Sequence, residues 1–206
     1  TIGWGTFDLE HRETWAMTTR EPDADQILWS EPFFVSDGFL RCKPTVLGDG
    51  RYLLCAYENE SQAYLYSESA DQGQSWVRRR GGRKVPTFFD ESMILEQRDG
   101  TLRLFARTGD SGFIAESVSH DGGKSWSDGK NSSLVAPGSR FYIARLKSGN
   151  LLRVNNDSAA ERRNLTAFLS RDDGASWPYS ILLDERAATS YPDVAQGDDG
   201  LIYIVH

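Results

Sequence analysis

The chain of 206 residues contains only two cysteines, Cys42 and Cys55, and only three histidines. Two cysteines are too few for a disulfide framework, so both are expected to be buried thiols. His11, His120 and His206 show no metal-binding spacing, and the chain has no nucleotide or zinc motif. No metal site and no cofactor are therefore expected.

Long apolar and long charged runs are also missing. No stretch of about 18 apolar residues occurs, so no membrane segment is predicted. The opening run at residues 2–7 lacks the apolar core of a signal peptide, so none is expected in this chain. The net charge is −7 and no basic tract dominates, which argues against nucleic acid as a partner. The sequence does not indicate an oligomeric state.

What the chain does contain is a repeated loop motif. The pattern Ser-x-Asp-x-Gly-x-x-Trp occurs at 69–76, 119–126 and 170–177, and a degenerate copy ends at Trp29. The Ser and Asp are expected to hydrogen-bond their own loop, and the Gly to adopt a positive φ. The Trp is expected to pack back between strands. This motif is therefore predicted to stabilise the fold and not to carry chemistry.

A second landmark is a turn followed by alternating apolar residues, as in GDGRYLLCAY. Its glycines are Gly50, Gly100, Gly149 and Gly200, about 50 residues apart. Each turn is a hairpin signal, and helical periodicity is nowhere sustained. A unit of this length with four short strands is typical of a β-propeller, so we predict an all-β propeller fold.

The positions of the repeated turns and loops divide the chain, which we expect to be one domain of residues 1–206, into propeller blades. We expect two half-blades at the ends and three whole blades between them, about four blade equivalents in all. The approximate boundaries are 1–36, 37–83, 84–133, 134–185 and 186–206.

The repeated motif resembles the Asp box of sialidases, which are six-bladed propellers with BNR repeats. Three further stretches are similar to sialidase segments that carry site residues: DESMILEQRDGTLRLFAR, ERRNLTAFLSRDDGASW and TSYPDVAQGDDGLIYIV. The resemblance covers most of the chain and is weakest in 1–36. It implies an exo-glycosidase that acts on a sialoglycan or another acidic sugar, in a secreted or periplasmic location.

The resemblance also indicates which part of the ring is expected. In sialidases the first blade supplies one Arg and the Asp general acid, and residues 1–36 do not resemble that blade. The chain is thus expected to match the middle and late part of a six-bladed propeller. The alternative is a four-bladed ring closed by pairing the two half-blades.

Tyr191 and Glu91 are the catalytic residues that the resemblance implies, as nucleophile and as the base that activates it. An Asp or Glu nucleophile would be repelled by the substrate carboxylate, whereas a neutral Tyr is not. Free Tyr has a pKa of about 10, so it needs a base nearby. Without the resemblance, Tyr191 reads as packing at a strand start and Glu91 as a solvated turn carboxylate.

Arg107 and Arg162 are implied as two of three guanidinium groups that bind the substrate carboxylate. The planar fork of Arg binds a carboxylate bidentately and is always charged. Arg107 ends an otherwise apolar strand, where a hydrophobic residue is commoner. Arg163 could take the role of Arg162, or the pair could lie on a solvated face.

Arg140 is predicted to line the floor or wall of the same pocket, with Arg41 or Lys43 as a weaker candidate. Glu58 and Glu60 follow a strand end, but nothing in the sequence places them as the general acid. Two other functions stay open. One is a non-catalytic carbohydrate-binding or interaction propeller, and the other is a glycosidase for a different acidic sugar.

Overall fold

The computed structural model describes residues 12–206 except 59 and 88. Every regular element in this part of the chain is a β-strand, which confirms the all-β prediction. No helix in the described residues is long and apolar enough to cross a membrane. The described strands are β1 (Glu13–Ala16), β2 (Phe33–Asp37), β3 (Phe39–Leu40), β4 (Thr45–Val46), β5 (Tyr52–Tyr57), β6 (Ala63–Ser69), β7 (Val77–Arg83), β8 (Ser92–Glu96), β9 (Leu102–Ala106), β10 (Phe113–Ser119), β11 (Lys130–Val135), β12 (Tyr142–Arg145), β13 (Leu151–Asn156), β14 (Leu165–Ser170), β15 (Tyr179–Asp184), β16 (Asp193–Gln196) and β17 (Ile202–Val205).

These strands form antiparallel sheets in which chain neighbours pair. β8 to β11 form one four-stranded sheet and β12 to β15 form the next, each in sequence order. β5, β6 and β7 form a third sheet, in which β3 and β4 both pair with β5 as one interrupted edge strand. β1 pairs with β2, and β16 pairs with β17. Sequence-adjacent pairing is expected of a chain whose strands are joined by short turns.

The predicted turn glycines all lie in tight turns between paired strands. In the first, the Gly50 amide donates to the Leu47 carbonyl at 2.9 Å and Gly50 has φ +87°. The other three turn glycines repeat this conformation, with φ between +83° and +85°. A positive φ strains residues with a Cβ, so glycine is the residue that these turns require.

The repeated loops hydrogen-bond internally as predicted. In the second copy, the Ser119 hydroxyl donates to Asp121 at 2.9 Å and accepts the Gly123 amide at 2.9 Å. Asp121 also accepts the amide and the hydroxyl of Ser125, at 2.9 and 2.6 Å. The Trp126 indole donates to the Gly123 carbonyl at 3.2 Å and its ring packs edge-on against Tyr66. Each loop is thus closed by its own side chains.

An apolar layer lies between each sheet and the next along the chain. The layer between the sheet of β5–β7 and the sheet of β8–β11 contains Leu53, Ile94 and Leu104, all at most 2% exposed. Further layers include Phe105 with Phe141, and Val154 with Val194. Each fully buried aliphatic side chain contributes about 1.5–3 kcal/mol to stability. Stacked sheets of this kind bring equivalent strand ends to one side of the molecule.

Candidate functional site

Glu91 and Arg107 lie side by side at one end of the sheet β8–β11. Glu91 immediately precedes β8 and Arg107 immediately follows β9, and the Arg107 amide donates to the Glu91 carbonyl at 3.0 Å. Because the two strands are antiparallel neighbours, a residue before one and a residue after the other share a sheet end. Glu91 is only 3% exposed, so the interpretation of this residue as a solvated turn carboxylate is wrong.

Tyr191 reaches the same place from a different sheet. It lies two residues before β16, is 37% exposed, and has φ +62°. A positive φ in a residue with an aromatic side chain is strained, and strain of this kind is concentrated at functional sites. The backbone thus holds the phenol in an unusual orientation and leaves it accessible.

The phenol of Tyr191 lies between a carboxylate and a guanidinium group. Its hydroxyl donates to Glu91 Oε1 at 3.1 Å and accepts from Arg107 Nη1 at 3.0 Å. Arg107 Nη1 also donates to Glu91 Oε2 at 2.9 Å. The carboxylate is in position to take the phenol proton, and the guanidinium group stabilises negative charge on the oxygen that remains. This arrangement can generate an oxygen nucleophile.

Arg162 lies on the ring of the same tyrosine. Its guanidinium carbon is 5.4 Å from the centroid of the Tyr191 ring, and Arg162 Nη2 donates to the Gly138 carbonyl at 3.1 Å. Arg163, the sequence alternative, instead approaches Glu161 at 3.5 Å. Of the two neighbours, the structure therefore places Arg162 against the phenol.

Arg140 lies beneath Tyr191 and contacts its backbone. Arg140 is 8% exposed and donates to the carbonyls of Pro192 at 2.8 Å and Tyr191 at 3.4 Å. It was expected to line the pocket, and its hydrogen bonds show that it supports the strained segment from below. Cys42 is buried beside it, and desolvation by burial raises the pKa of the Cys42 thiol to about 11.

Lys43 and Arg41 lie in the interruption between β3 and β4. Lys43 Nζ donates to the Val194 carbonyl at 2.9 Å and lies 3.2 Å from Asp193, so it ties β16 to the sheet of β5–β7. Arg41 Nε lies 3.9 Å from Glu91 Oε1. Of these two weaker candidates, Arg41 therefore approaches Glu91, and Lys43 contacts the strand that follows Tyr191.

A buried ion pair next to Glu91 was not found from the sequence. Lys84 Nζ lies 3.1 Å from Asp90 and donates to the Glu58 carbonyl at 3.0 Å. The Lys84 and Asp90 side chains are 6% and 1% exposed. Burial raises the pKa of Asp90, and Lys84 opposes that shift. This ion pair holds the segment that precedes β8 in place. The sequence indicated the pair only through the acidic residue Asp90 next to Glu91.

The remaining predicted groups lie elsewhere. Glu58 forms an ion pair with Arg78 at 2.7 Å, and Glu60 is exposed. Within the described residues, no group of three or more His, Cys, Asp and Glu side chains could hold a metal ion. His11 lies outside the described residues.

The site can now be compared with known proteins. A family model described as a BNR repeat-like domain matches residues 9–204. The chain is 37% identical over 79 residues to an anhydrosialidase of Macrobdella decora, which covers 38% of this chain and 10% of the relative. It is 31% identical over 157 residues to a sialidase of Micromonospora viridifaciens, which covers 68% of this chain and 23% of the relative. The chain thus spans less than a quarter of either curated relative.

Solved structures share the fold. The intramolecular trans-sialidase of Ruminococcus gnavus superposes with a TM-score of 0.72 at 21% identity, covering 92% of this chain and 45% of that protein. NanB sialidase of Streptococcus pneumoniae superposes with the same TM-score, covering 86% of this chain and 30% of that protein. At this identity the likeness establishes a common architecture.

Proposed function

Because this chain belongs to the BNR repeat-like domain family, we propose that it is a sialidase-like exo-glycosidase that removes a terminal sialic acid from a glycan. The supporting relatives are named as a sialidase and an anhydrosialidase. The observation that carries the proposal is the phenol of Tyr191, hydrogen-bonded at once to Glu91 and to Arg107.

In the proposed mechanism, Tyr191 is the nucleophile and Glu91 is its base. Glu91 takes the phenol proton while the phenol oxygen bonds to the anomeric carbon and the glycosidic C–O bond breaks. The departing oxygen takes a proton from a general acid, which is not assigned to a residue of this chain. In the second displacement, the conjugate base of that acid deprotonates a water molecule, and the water oxygen bonds to the anomeric carbon as its bond to Tyr191 breaks. Glu91 returns its proton to the phenol oxygen that leaves. Two displacements at one carbon retain its configuration.

Arg107 and Arg162 form the proposed clamp for the substrate carboxylate. Both contact Tyr191, so a carboxylate bound to them lies next to the attacking oxygen. The two guanidinium groups also offset the repulsion between the substrate carboxylate and the negative charge that develops on the Tyr191 oxygen. Arg140 is proposed to act through the backbone, as a positioning residue for the tyrosine segment.

We further propose that the stacked sheets are consecutive blades of a six-bladed propeller. The blades are the units 37–83, 84–133 and 134–185, with half-units at 1–36 and 186–206 in one domain. Support comes from the strand order within each sheet and from the apolar layer between neighbouring sheets.

The test is hydrolysis of a fluorogenic sialoside by the chain and by Tyr191→Phe. The variant keeps the ring and loses the oxygen, so we expect turnover to fall by about 10³-fold or more with an unchanged melting temperature. Tyr203→Phe, on the exposed strand β17, is the matched control. Equal turnover in Tyr191→Phe would reject the nucleophile. Sialoside binding without turnover by the wild-type chain would support a carbohydrate-binding module instead.

A further inference from the structure

Arg41 is a more accessible neighbour of Glu91 than Arg107 is. Its side chain is 42% exposed, against 12% for Arg107. It approaches Glu91 Oε1 at 3.9 Å, which is beyond hydrogen-bonding distance, whereas Arg107 donates to Oε2 at 2.9 Å. The two guanidinium groups therefore lie nearest to different oxygens of the Glu91 carboxylate.

Arg41 also stands apart from the proposed carboxylate clamp. Arg107 and Arg162 both contact Tyr191, and they come from sheets later in the chain. Arg41 comes from the break between β3 and β4 and lies over the ring of Phe39, with its guanidinium carbon 5.7 Å from the centroid. Its guanidinium group also interacts with the Tyr57 hydroxyl. The exposed part of the group can bind a ligand group other than the one that the clamp holds.

A row of three aromatic rings packs beside Arg41 and Arg107, whose guanidinium groups both approach the carboxylate of Glu91. Phe39 packs against Tyr57 with centroids 5.6 Å apart, and Tyr57 packs edge-on against Phe89 at 6.2 Å. Arg107 lies over Phe89 at 5.3 Å, and Arg41 lies over Phe39 at 5.7 Å. Tyr57 is 3% exposed, which makes the middle of the row rigid. The rings therefore restrict the positions that the two guanidinium groups can take.

Two guanidinium groups, those of Arg41 and Arg12, lie over the ring of Phe39 in a chain of net charge −7. The guanidinium carbon of Arg12 is 5.1 Å from the Phe39 centroid. A single ring that carries two guanidinium groups marks a local concentration of positive charge. Such a place attracts a second anion and does so less strongly as salt rises.

We propose that Arg41 and Phe39 form a subsite for a second anionic group of the substrate, beyond the carboxylate bound by the clamp. The preferred substrates are then glycans with two acidic groups near the cleaved bond. The second group is a carboxylate on a neighbouring acidic sugar or a sulfate ester on the same sugar, both of which a guanidinium fork recognises. This inference rests on the proposed function and narrows its substrate class.

The test measures binding, so that it does not depend on turnover. Dissociation constants are determined for sialyllactose, for disialyllactose and for a sialyllactose sulfated on its sialic acid. In the wild-type chain we expect one or both dianionic sugars to bind about five- to tenfold more tightly than sialyllactose. In Arg41→Gln that advantage disappears, while the affinity for sialyllactose is retained.

Arg79→Gln is the matched control, because it removes the same charge from a 45% exposed side chain of the outer strand β7 that pairs with Glu68 of β6. It should leave the advantage intact. The two dianionic sugars distinguish a second sugar carboxylate from a sulfate as the group recognised. Raising the salt should weaken only the dianionic advantage.

Three results would overturn the subsite. They are no dianionic advantage in the wild-type chain, an equal loss for all three sugars in Arg41→Gln, and an advantage that survives in that variant. An equal loss would make Arg41 a member of the clamp. Failure of the proposed function is a separate result. In that case the chain does not hydrolyse the fluorogenic sialoside, and the dissociation constants can take any value.

Discussion

The repeated loops and the candidate site both use a carboxylate that accepts hydrogen bonds, but over very different distances along the chain. Asp121 bonds residues no more than four positions away. Glu91 bonds Arg107 at a separation of 16 residues and Tyr191 at a separation of 100. The loop is therefore a local structure that any surrounding fold could carry, whereas the site exists only when several sheets are stacked correctly.

This contrast separates stability from activity. The loops tie strand ends together and place a tryptophan between sheets, as Trp126 does against Tyr66. The site instead gathers a carboxylate, guanidinium groups and a phenol, and the phenol is on a strained backbone. Changes in the loops should therefore lower the free energy of unfolding, and changes in the site should lower turnover.

The largest expected effect is on activity. Glu91→Gln keeps the size of the side chain but removes the proposed base, so turnover of a sialoside should fall by about 10³-fold. Circular dichroism and the melting temperature should stay close to wild type. Glu185→Gln, at an exposed position outside the site, controls for the loss of one charge. Wild-type turnover in Glu91→Gln would show that Glu91 is not the base and that the site does not govern activity.

The next effect is on stability and compares two tryptophans. Trp126→Ala removes an indole that packs on Tyr66 and should lower the free energy of unfolding by about 2–4 kcal/mol. Trp29→Ala, at the degenerate fourth copy, removes a side chain that is 40% exposed and should cost less than about 1 kcal/mol. Urea unfolding measures both. Equal losses would show that the degenerate copy stabilises the fold as the full motif does.

The smallest effect appears in acid. Hydrogen bonds, chiefly from Ser125, lower the pKa of Asp121 to about 2, below the value of about 3.9 in an unfolded chain. Its contribution to stability is present above the unfolded value and is lost as the pH falls through the folded value. Asp121→Asn should therefore show a flatter decline in urea midpoint between pH 5 and pH 2 than wild type. Parallel declines in the two proteins would contradict this assignment.

The residues that the sequence could predict are those whose conformation is decided nearby. The turn at Gly50 and the loop around Asp121 depend on contacts within a few residues, so their patterns are visible in the sequence. The site residues Glu91, Arg107 and Tyr191 were found through resemblance to sialidases, because no local pattern links positions so far apart.

Two sets of contacts at the site could be predicted neither from local sequence patterns nor from the resemblance to sialidases. Arg140 donates to a carbonyl 52 residues further along, and that partner is a backbone atom with no sequence signature. The Lys84–Asp90 pair is buried by sheets that pack around it, although six residues separate its members. Both depend on how the sheets stack, which no short stretch of sequence specifies.

The support of the Tyr191 backbone by Arg140 has a consequence for how the proposed activity responds to heating. Its phenol is aimed by a backbone that Arg140 holds, while its partners Glu91 and Arg107 belong to another sheet. A slight slide of one sheet over the other would separate the reacting oxygens without exposing the core. Turnover should therefore depend on the alignment of the two sheets. Loss of turnover should begin at a lower temperature than unfolding of the core.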